Sequence, residues 1–372
     1  MDRASSVPAH LQVRQRLLKF LHVSELESGE PIPSEVDIAD TLGVSRMTAN
    51  KAILGLVAEG RLLREKGRGT FLAEQADDTV RRCLILVKQA ASYGLQEDHY
   101  YGTLYWRVLE FFRNLDIRVD LGEMDPETIE ALPSSPDSVV IALNPDRPAA
   151  QRLASATAAG APVVILGSSW EKGSLDAVDS DNRLGAALAV NHLVDLGHTR
   201  IAFVGALIED SNTVDRLKGF QFAMKARGLT VPESRVVIGT ESGYLDPAAL
   251  QEVSGLLTGA EAPTAILAAG SELAMNVLSL ASRMGIAVPE SLSLVAYDDP
   301  GFLSLTHPAM TTVRQPLEEM AALACTMVMA RASERRGPVR KETLEPALVL
   351  RESTARWAPH SLMAASHPAG SV

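Results

Sequence analysis

The chain has 372 residues with 35 basic and 46 acidic side chains, a formal net charge of −11, and 46% hydrophobic residues. This length exceeds what a single hydrophobic core supports, so we expect two or more domains rather than a small disulfide-stapled protein. No apolar run approaches the ~20 residues that a membrane-spanning helix needs, which excludes a membrane protein of that kind.

The N-terminus shows no apolar signal segment, so we expect the protein in the cytoplasm, away from any membrane. The two cysteines, Cys83 and Cys325, lie far apart and each sits in an apolar stretch. Cysteine in such surroundings usually behaves as a small buried hydrophobe, so neither a disulfide nor a metal site is expected.

The first predicted elements are three helices. Residues 10–22 carry leucines near helical spacing with basic residues between them. Ser34 is predicted to cap a second helix, which Gly43 ends. Ser45 is predicted to cap a third helix over 46–59. The inward face of this third helix consists of Ala49, Ile53, Leu56 and Val57.

A hairpin follows the third helix, because RLLRE and TFLA flank the turn KGRG. Helix, tight turn, helix and hairpin are the order of a winged helix-turn-helix, an α+β arrangement that reads DNA. Residues 45–68 contain six basic and two acidic residues, so this segment is locally positive on an acidic chain. The polar residues suited to phosphates and bases at the start of the third helix are Ser45, Arg46, Thr48, Asn50 and Lys51.

A segment within the first 73 residues resembles the GntR family of bacterial regulators. Its sequence is PIPSEVDIADTLGVSRMTANKAILGLVAEGRLLREKGRGTFLA. The resemblance implies DNA contacts from Ser45, Arg46, Thr48 and Asn50 on the helix, and from Lys66 and Arg68 on the wing. Relatives often carry an Arg where this chain has Val36, so their operator preference cannot be transferred. A solvated polar helix face is the alternative reading of these residues.

Residues 74–82 are polar and unpatterned, which is typical of a linker. A different pattern then begins, in which continuous apolar runs alternate with helical segments. The runs are 83–87, 138–143, 162–167, 200–205, 235–239, 264–269 and 292–297. This alternation predicts an α/β region with parallel sheets buried on both faces, and its length over 83–355 predicts two lobes. Residues 356–372 read as a disordered tail.

The α/β region carries no GxSxG, P-loop, GxGxxG or HExxH motif, so an enzyme is not expected and no cofactor is implied. His192 and His198 lack spaced partners and are interpreted as structural residues rather than ligands.

Several sequence segments across residues 83–355 resemble the LacI/GalR effector-binding domain, which is similar to periplasmic sugar-binding proteins. They include VDSDNRLGAALAVNHLVDLGHTRIAFVG, DRLKGFQFAMKARGL, VPESLSLVAYDDPGF and HPAMTTVRQP. The resemblance implies a ligand cleft between two lobes, at the carboxyl ends of their strands. It places Arg216 and Asp298 in that cleft, where a guanidinium and a carboxylate suit a polyol. The alternative is that Arg216 and Asp298 form a structural ion pair.

Two further residues are candidates for effector contact. Trp170 could stack on a sugar face or pack in the core. Ser271 follows the 264–269 run, where many relatives carry Asn-Asp, and Gly167-Ser168 stands where they often carry Asp-Arg. These departures favour an effector that is bulkier or less hydroxylated than a hexose, unless loops such as 89–94 supply the contacts.

A GntR-like DNA-binding domain joined to a LacI/GalR-like effector-binding domain resembles the arabinose-repressor type of regulator. The sequence therefore predicts a homodimeric DNA-binding regulator, interpreted as a repressor, that binds a double-stranded operator and a small sugar-like effector. The alternatives are a cytoplasmic sugar-binding module and a sugar-acting enzyme, neither with a DNA-reading role.

Overall fold

The computed structural model describes residues 13, 16–17, 20–21, 26, 29–58, 62–65, 68–72, 80–88, 99–133, 135, 137–170, 174–206, 210–239, 244–333 and 337–357. The predicted linker up to residue 79, the loop 89–94, Lys66 and the tail from 358 onward lie outside these residues. The chain divides into two compact units, Met1–Asp179 with Leu317–Glu342, and Ser180–Pro316 with Thr343–Val372.

The helices of the described residues, in chain order, are α1 Glu35–Leu42, α2 Arg46–Ala58, α3 His99–Arg113, α4 Pro126–Glu130, α5 Arg147–Ala158, α6 Asn182–Asp195, α7 Ser211–Ala226, α8 Pro247–Thr258, α9 Ser271–Arg283 and α10 Leu317–Ser333. Short 3₁₀ helices span Glu233–Arg235 and Gly301–Ser304. None of these helices is long and apolar enough to cross a membrane.

The strands are β1 Leu62–Glu65, β2 Gly69–Leu72, β3 Arg82–Val87, β4 Arg118–Glu123, β5 Ser138–Leu143, β6 Val163–Leu166, β7 Asp176–Ser180, β8 Ile201–Gly205, β9 Val236–Ile238, β10 Ala265–Ala268, β11 Ser293–Tyr297, β12 Thr311–Arg314, β13 Lys341–Leu344 and β14 Ala347–Val349.

The N-terminal region is built around a small core of its own. The predicted inward face of α2 is confirmed for Ala49, Ile53 and Leu56, which are buried, while Val57 is half-buried. They pack with Ile38 of α1 and with apolar residues of an earlier helical segment, of which 13, 17 and 21 are buried. Burial of this stripe, rather than intrinsic helix propensity, is what stabilises such short helices.

The hairpin is larger than the sequence predicts. Strands β1 and β2 pair antiparallel, with Leu62 opposite Leu72. The backbone of residues 29–32 also runs along β2, because Gly29 and Ile32 donate to the carbonyls of Leu72 and Thr70 at 2.8 and 2.9 Å. The segment GEPIP, residues 29–33, therefore adds an edge to the wing.

Two six-stranded sheets contain the remaining described strands, β3 to β14. The first has the order β13-β7-β6-β5-β3-β4, and the strands from β7 to β4 are parallel neighbours. The second has the order β14-β12-β11-β10-β8-β9, and only β14 is antiparallel to its neighbour. The predicted α/β class with parallel sheets is confirmed.

A buried ion pair joins distant parts of the first unit. Arg331, near the end of α10, donates from Nε and Nη2 to the two carboxylate oxygens of Asp176 on β7, each at 2.7 Å. Its Nη1 and Nη2 also donate to the carbonyls of Gly337 and Pro338 at 2.8 Å. The bidentate geometry and the added carbonyl acceptors satisfy a charge pair that burial alone would penalise.

Candidate functional site

The start of α2 is fixed by hydroxyl contacts. The Ser45 Oγ accepts from the Thr48 backbone N–H at 3.2 Å, and the two side-chain oxygens are 2.7 Å apart. Ser45 therefore caps the helix as the sequence predicts, which satisfies one of the backbone donors left open at a helix N-terminus. Ser45 remains exposed and Thr48 half-buried, so both present polar atoms at this end of the helix.

Glu35, the first residue of α1, organises the basic side chains around α2. Its carboxylate accepts from Arg64 of β1 at 2.8 Å and lies 3.5 Å from the Nε of Arg46. Arg64 also donates to the Asn50 Oδ1 at 3.3 Å. Sequence reasoning missed Glu35 and the role of Arg64, because charge counting does not show which acidic residue faces which basic one.

The predicted DNA contacts differ in exposure. The side chains of Arg46 and Arg68 are both 72% exposed. Lys51 is exposed and Asn50 half-buried. Arg68 also forms an ion pair with Glu65, and its guanidinium carbon lies 5.5 Å from the Phe71 ring centroid. An exposed cation held over an aromatic ring keeps its charge available to a phosphate while losing part of its conformational freedom.

Arg216 lies at the carboxyl edge of the second sheet and is buried. Its Nε donates to the Asn182 Oδ1 at 2.8 Å, and its Nη1 donates to the Ala269 carbonyl at 2.7 Å. The guanidinium carbon lies 3.7 Å from the ring centroid of Tyr297. These contacts connect the start of α6 with the ends of β10 and β11, so part of the donor fork is used within the protein.

Asp298 follows β11 and has a positive φ of 68°. Its Oδ1 accepts from the Gln315 Nε2 at 2.5 Å, and its backbone carbonyl accepts from the Thr312 hydroxyl. Among the described contacts Asp298 and Arg216 have different partners, so the two do not form the ion pair that was the structural alternative.

More polar groups line the same edge than the sequence suggested. Ser271, the first residue of α9, is buried, and its hydroxyl donates to Glu272 at 2.8 Å. Asn212 at the start of α7 is also buried and accepts from Asn182 at 3.2 Å. Parallel strands bring the residues that follow them to one edge of a sheet, which is why residues so distant in sequence meet.

In the first unit, Trp170 follows β6 and is partly buried against the core cluster that includes Leu153. Its indole N–H donates to the Pro145 carbonyl at 3.2 Å. Asn144 follows β5 with a φ of 43°, and its Nδ2 donates to the Tyr101 hydroxyl at 2.9 Å. Sequence reasoning missed Asn144, although an Asn directly after a buried strand, at a position that needs a left-handed backbone, was a usable signal.

Among the described residues, no group of three or more His, Cys, Asp or Glu side chains is placed to hold a metal ion. His198 is buried between the hydroxyls of Thr264 and Ser293, at 2.8 and 3.0 Å. His192 contacts the Thr354 hydroxyl at 3.0 Å.

Comparison with known families matches both parts of the chain. Residues 9–72 match the model described as bacterial regulatory proteins, gntR family. Residues 190–354 match a periplasmic binding protein-like domain.

Curated relatives agree with this division. The chain is 27% identical over 370 residues to the arabinose metabolism transcriptional repressor of Geobacillus stearothermophilus, which covers 95% of this chain and 99% of that protein. It is 32% identical over 200 residues to the HTH-type transcriptional repressor PurR of Klebsiella pneumoniae strain 342, covering 52% of this chain and 56% of the relative. These relatives are transcriptional regulators and not enzymes.

Solved structures share the fold. The transcriptional regulator CelR in complex with cellobiose aligns with a TM-score of 0.65 at 23% identity, over 87% of this chain and all of that chain. A LacI family regulator from Enterococcus faecium with bound ribose aligns with a TM-score of 0.62 at 22% identity, over 74% of this chain and all of that one. The protein thus joins a gntR-type helix-turn-helix domain to a periplasmic-binding-protein-like domain, is similar over almost its whole length to the arabinose metabolism repressor, and shares the fold of LacI family regulators.

Proposed function

We propose that the protein is a transcriptional repressor whose affinity for a specific DNA operator is controlled by a small sugar-like effector. The observation that carries the DNA-binding part is the cluster of exposed cations on α2 and the wing, Arg46, Lys51 and Arg68, in a chain that is otherwise acidic. Phosphate binding depends on such a local field, and a short helix with polar residues in its first turn fits the major groove.

The DNA contacts are proposed to come from Ser45, Arg46, Thr48, Asn50 and Lys51 of the helix end, with Lys66 and Arg68 on the wing. Arg46 donates to a base or a phosphate once it exchanges its 3.5 Å contact with Glu35 for the DNA. Arg64, held between Glu35 and Asn50, is proposed to position Asn50 rather than to bind DNA itself.

The effector is proposed to bind at the carboxyl ends of the parallel strands, where Asp298 and Ser271 supply polar groups and Arg216 supports them. Buried, mutually oriented donors and acceptors of this kind favour a hydroxyl-bearing ligand. Trp170 is partly buried against its own core, so in the free protein its role is packing and only its exposed part is open to a ligand. Sugars named with the relatives, arabinose, ribose and cellobiose, form the first set to test.

The protein is further proposed to act in the cytoplasm as a homodimer on a pseudo-palindromic operator. One short recognition helix contacts too few base edges for useful specificity, and two-fold symmetry doubles them. No cofactor is proposed.

Selection of duplexes from a randomised library by the full chain tests the DNA-binding part. We expect an enriched inverted-repeat sequence whose affinity falls steeply as salt rises, since phosphate contacts release counterions. The absence of any enriched sequence would contradict the regulator and favour a sugar-binding module. A thermal-shift screen of pentoses, hexoses and disaccharides tests the effector part, because a ligand at 100 Kd adds roughly 2.7 kcal/mol to the unfolding free energy. Chemical turnover of a bound sugar would favour an enzyme.

A further inference from the structure

The recognition helix α2 presents an apolar side chain to solvent at the end that is proposed to read DNA. Met47, in its first turn, is 80% exposed. The buried residues of α2 are Ala49, Ala52, Ile53 and Leu56. At 100° per residue, the direction opposite their mean is occupied by Met47, Lys51 and Leu54, which follow one another at i, i+4 and i+7.

The outermost stripe of the helix is therefore Met47, Lys51 and Leu54, with Leu54 47% exposed and Lys51 exposed. Arg46 and Asn50 lie on one flank of this stripe and are joined to Glu35 and Arg64. These contacts hold the Arg46 and Asn50 side chains on the flank of the helix. Met47 therefore remains on the outermost stripe.

The positive charges around Met47 indicate which kind of partner can bind this surface. The flanking Arg46 side chain is 72% exposed and Lys51 is exposed on the same face. A second copy of the chain would have to bring its own cations against these, and like charges in close contact oppose association. A polyanion with an apolar group at its surface satisfies both features.

We propose that Met47 contacts the 5-methyl group of a thymine in the major groove and thereby sets one position of the operator. This proposal rests on the proposed function. Thymine carries the one apolar group among the base edges exposed in the major groove. The N-terminal residues of a recognition helix contact base edges, and an unbranched thioether side chain adapts to a flat apolar partner.

Leu54 provides a matched comparison on the same stripe. It lies seven residues after Met47, about 10 Å further along the helix axis at 1.5 Å per residue. At that distance from the N-terminal turn it is expected to lie beyond reach of the base edges, so its removal should leave sequence preference unchanged.

The test begins with parallel selections from a randomised 30-base-pair duplex library, using the full chain and its Met47→Ala, Met47→Gln and Leu54→Ala variants. Wild type and Leu54→Ala are expected to enrich a thymine at one symmetric pair of positions. Both Met47 variants are expected to recover the rest of the motif without a preference at that pair. Because Met47 is exposed, these substitutions should leave folding intact, which circular dichroism checks.

The direct measurement uses the duplex selected by wild type with deoxyuridine in place of the two thymines, which removes only the methyl groups. Burial of one such carbon contributes about 0.8 kcal/mol, so wild type should lose about four-fold in affinity per half-site and about fifteen-fold on the symmetric duplex. The Met47→Ala protein should bind both duplexes equally.

Each result decides a separate claim. If wild type enriches no sequence, the proposed DNA-binding function fails. If it enriches a sequence but shows no thymine preference, or binds the deoxyuridine duplex as tightly as the thymine duplex, the Met47 assignment is overturned and the regulator stands. Loss of the thymine preference in Leu54→Ala, with Met47→Ala unchanged, also overturns it.

Discussion

The guanidinium of Arg216 joins several elements at the carboxyl edge of the second sheet. It donates to a side chain at the start of α6 and to a carbonyl after β10, and it stacks on Tyr297. The sequence could identify Arg216 as a residue of this edge from its similarity to other regulators. It could not show that two donors are already used within the protein, because both acceptors come from elements far away along the chain.

Replacing Arg216 should therefore affect stability as well as effector binding. Arg216→Ala leaves the Asn182 amide oxygen and the Ala269 carbonyl without this donor, and each buried unsatisfied group costs about 1–3 kcal/mol. We expect the unfolding free energy to fall by about 2–4 kcal/mol, measured by urea denaturation. The matched variant Arg183→Ala removes a half-exposed pair with Asp215 and should cost less than about 1 kcal/mol. Equal losses in the two variants would contradict the buried role.

His198 predicts how stability depends on pH. Burial lowers the pKa of this imidazole below its ordinary value of 6.5, an effect that the Ala355 carbonyl partly opposes. The unfolded chain then binds a proton that the folded chain resists, so the stabilisation is complete above pH 6.5 and is lost as pH falls.

Each such proton contributes up to about 1.4 kcal/mol per pH unit. Urea titrations of wild type between pH 7.5 and 5 should show this loss, and His198→Gln should show a shallower slope. An unchanged slope in the variant would place the proton uptake elsewhere.

At the scale of elements, the continuous apolar runs predicted β3, β5, β6, β8, β9, β10 and β11 at the positions where the structure has them. Five strands were not predicted, namely β4, β7, β12, β13 and β14, of which the last two have four and three residues. In β4 and β7 the acidic residues Asp120 and Asp176 interrupt the apolar pattern, and each forms an ion pair with an arginine. Strand β12, TTVR, is short and polar at its end. Pattern recognition fails where a strand depends on distant charged partners.

The turn between α1 and α2 is predicted to depend on one glycine. Gly43 has a φ of 64°, a conformation that costs other residues about 1 kcal/mol, and its N–H caps α1. Gly55 lies inside α2 with open space where a Cβ would point. Gly43→Ala should destabilise the helix pair by about 1 kcal/mol, and Gly55→Ala should stabilise it by about 0.5–1 kcal/mol. Hydrogen exchange of the full chain over residues 34–58 measures both, and a destabilising Gly55→Ala would contradict the helix assignment.

The buried Asp176–Arg331 pair should be the strongest single charge interaction of the first unit. Asp176→Asn leaves the arginine charge buried without its partner, which typically costs about 3–5 kcal/mol. The exposed pair of Arg107 and Glu318, at 3.5 Å, is the comparison, and Glu318→Gln should cost about 0.5 kcal/mol or less. Denaturation curves that moved by the same amount in both variants would rule out the structural role of the buried pair.

At the scale of the whole molecule, the sequence predicted the order of the parts from two independent patterns. The capped helices and the basic hairpin indicated a DNA-binding domain at the N-terminus. The alternating apolar runs indicated an α/β domain after it. Both are matched by known families. The identity of the effector did not follow, because Ser271, Gly167 and Ser168 depart from the polar pairs that the LacI/GalR resemblance led us to expect at these positions.

The proposed function requires that operator binding and effector binding be coupled. If the effector binds best to a state in which the DNA-reading helices are misplaced, it lowers operator affinity by the same factor by which the operator lowers effector affinity. Regulators typically show coupling of about 5- to 150-fold.

The most direct test is the operator Kd of the full chain, measured by fluorescence anisotropy with and without a saturating concentration of the sugar that gives the largest thermal shift. We predict that the sugar raises the operator Kd at least about five-fold, and that saturating operator raises the sugar Kd by the same factor. A sugar that binds the protein tightly while the operator Kd stays unchanged would contradict the account.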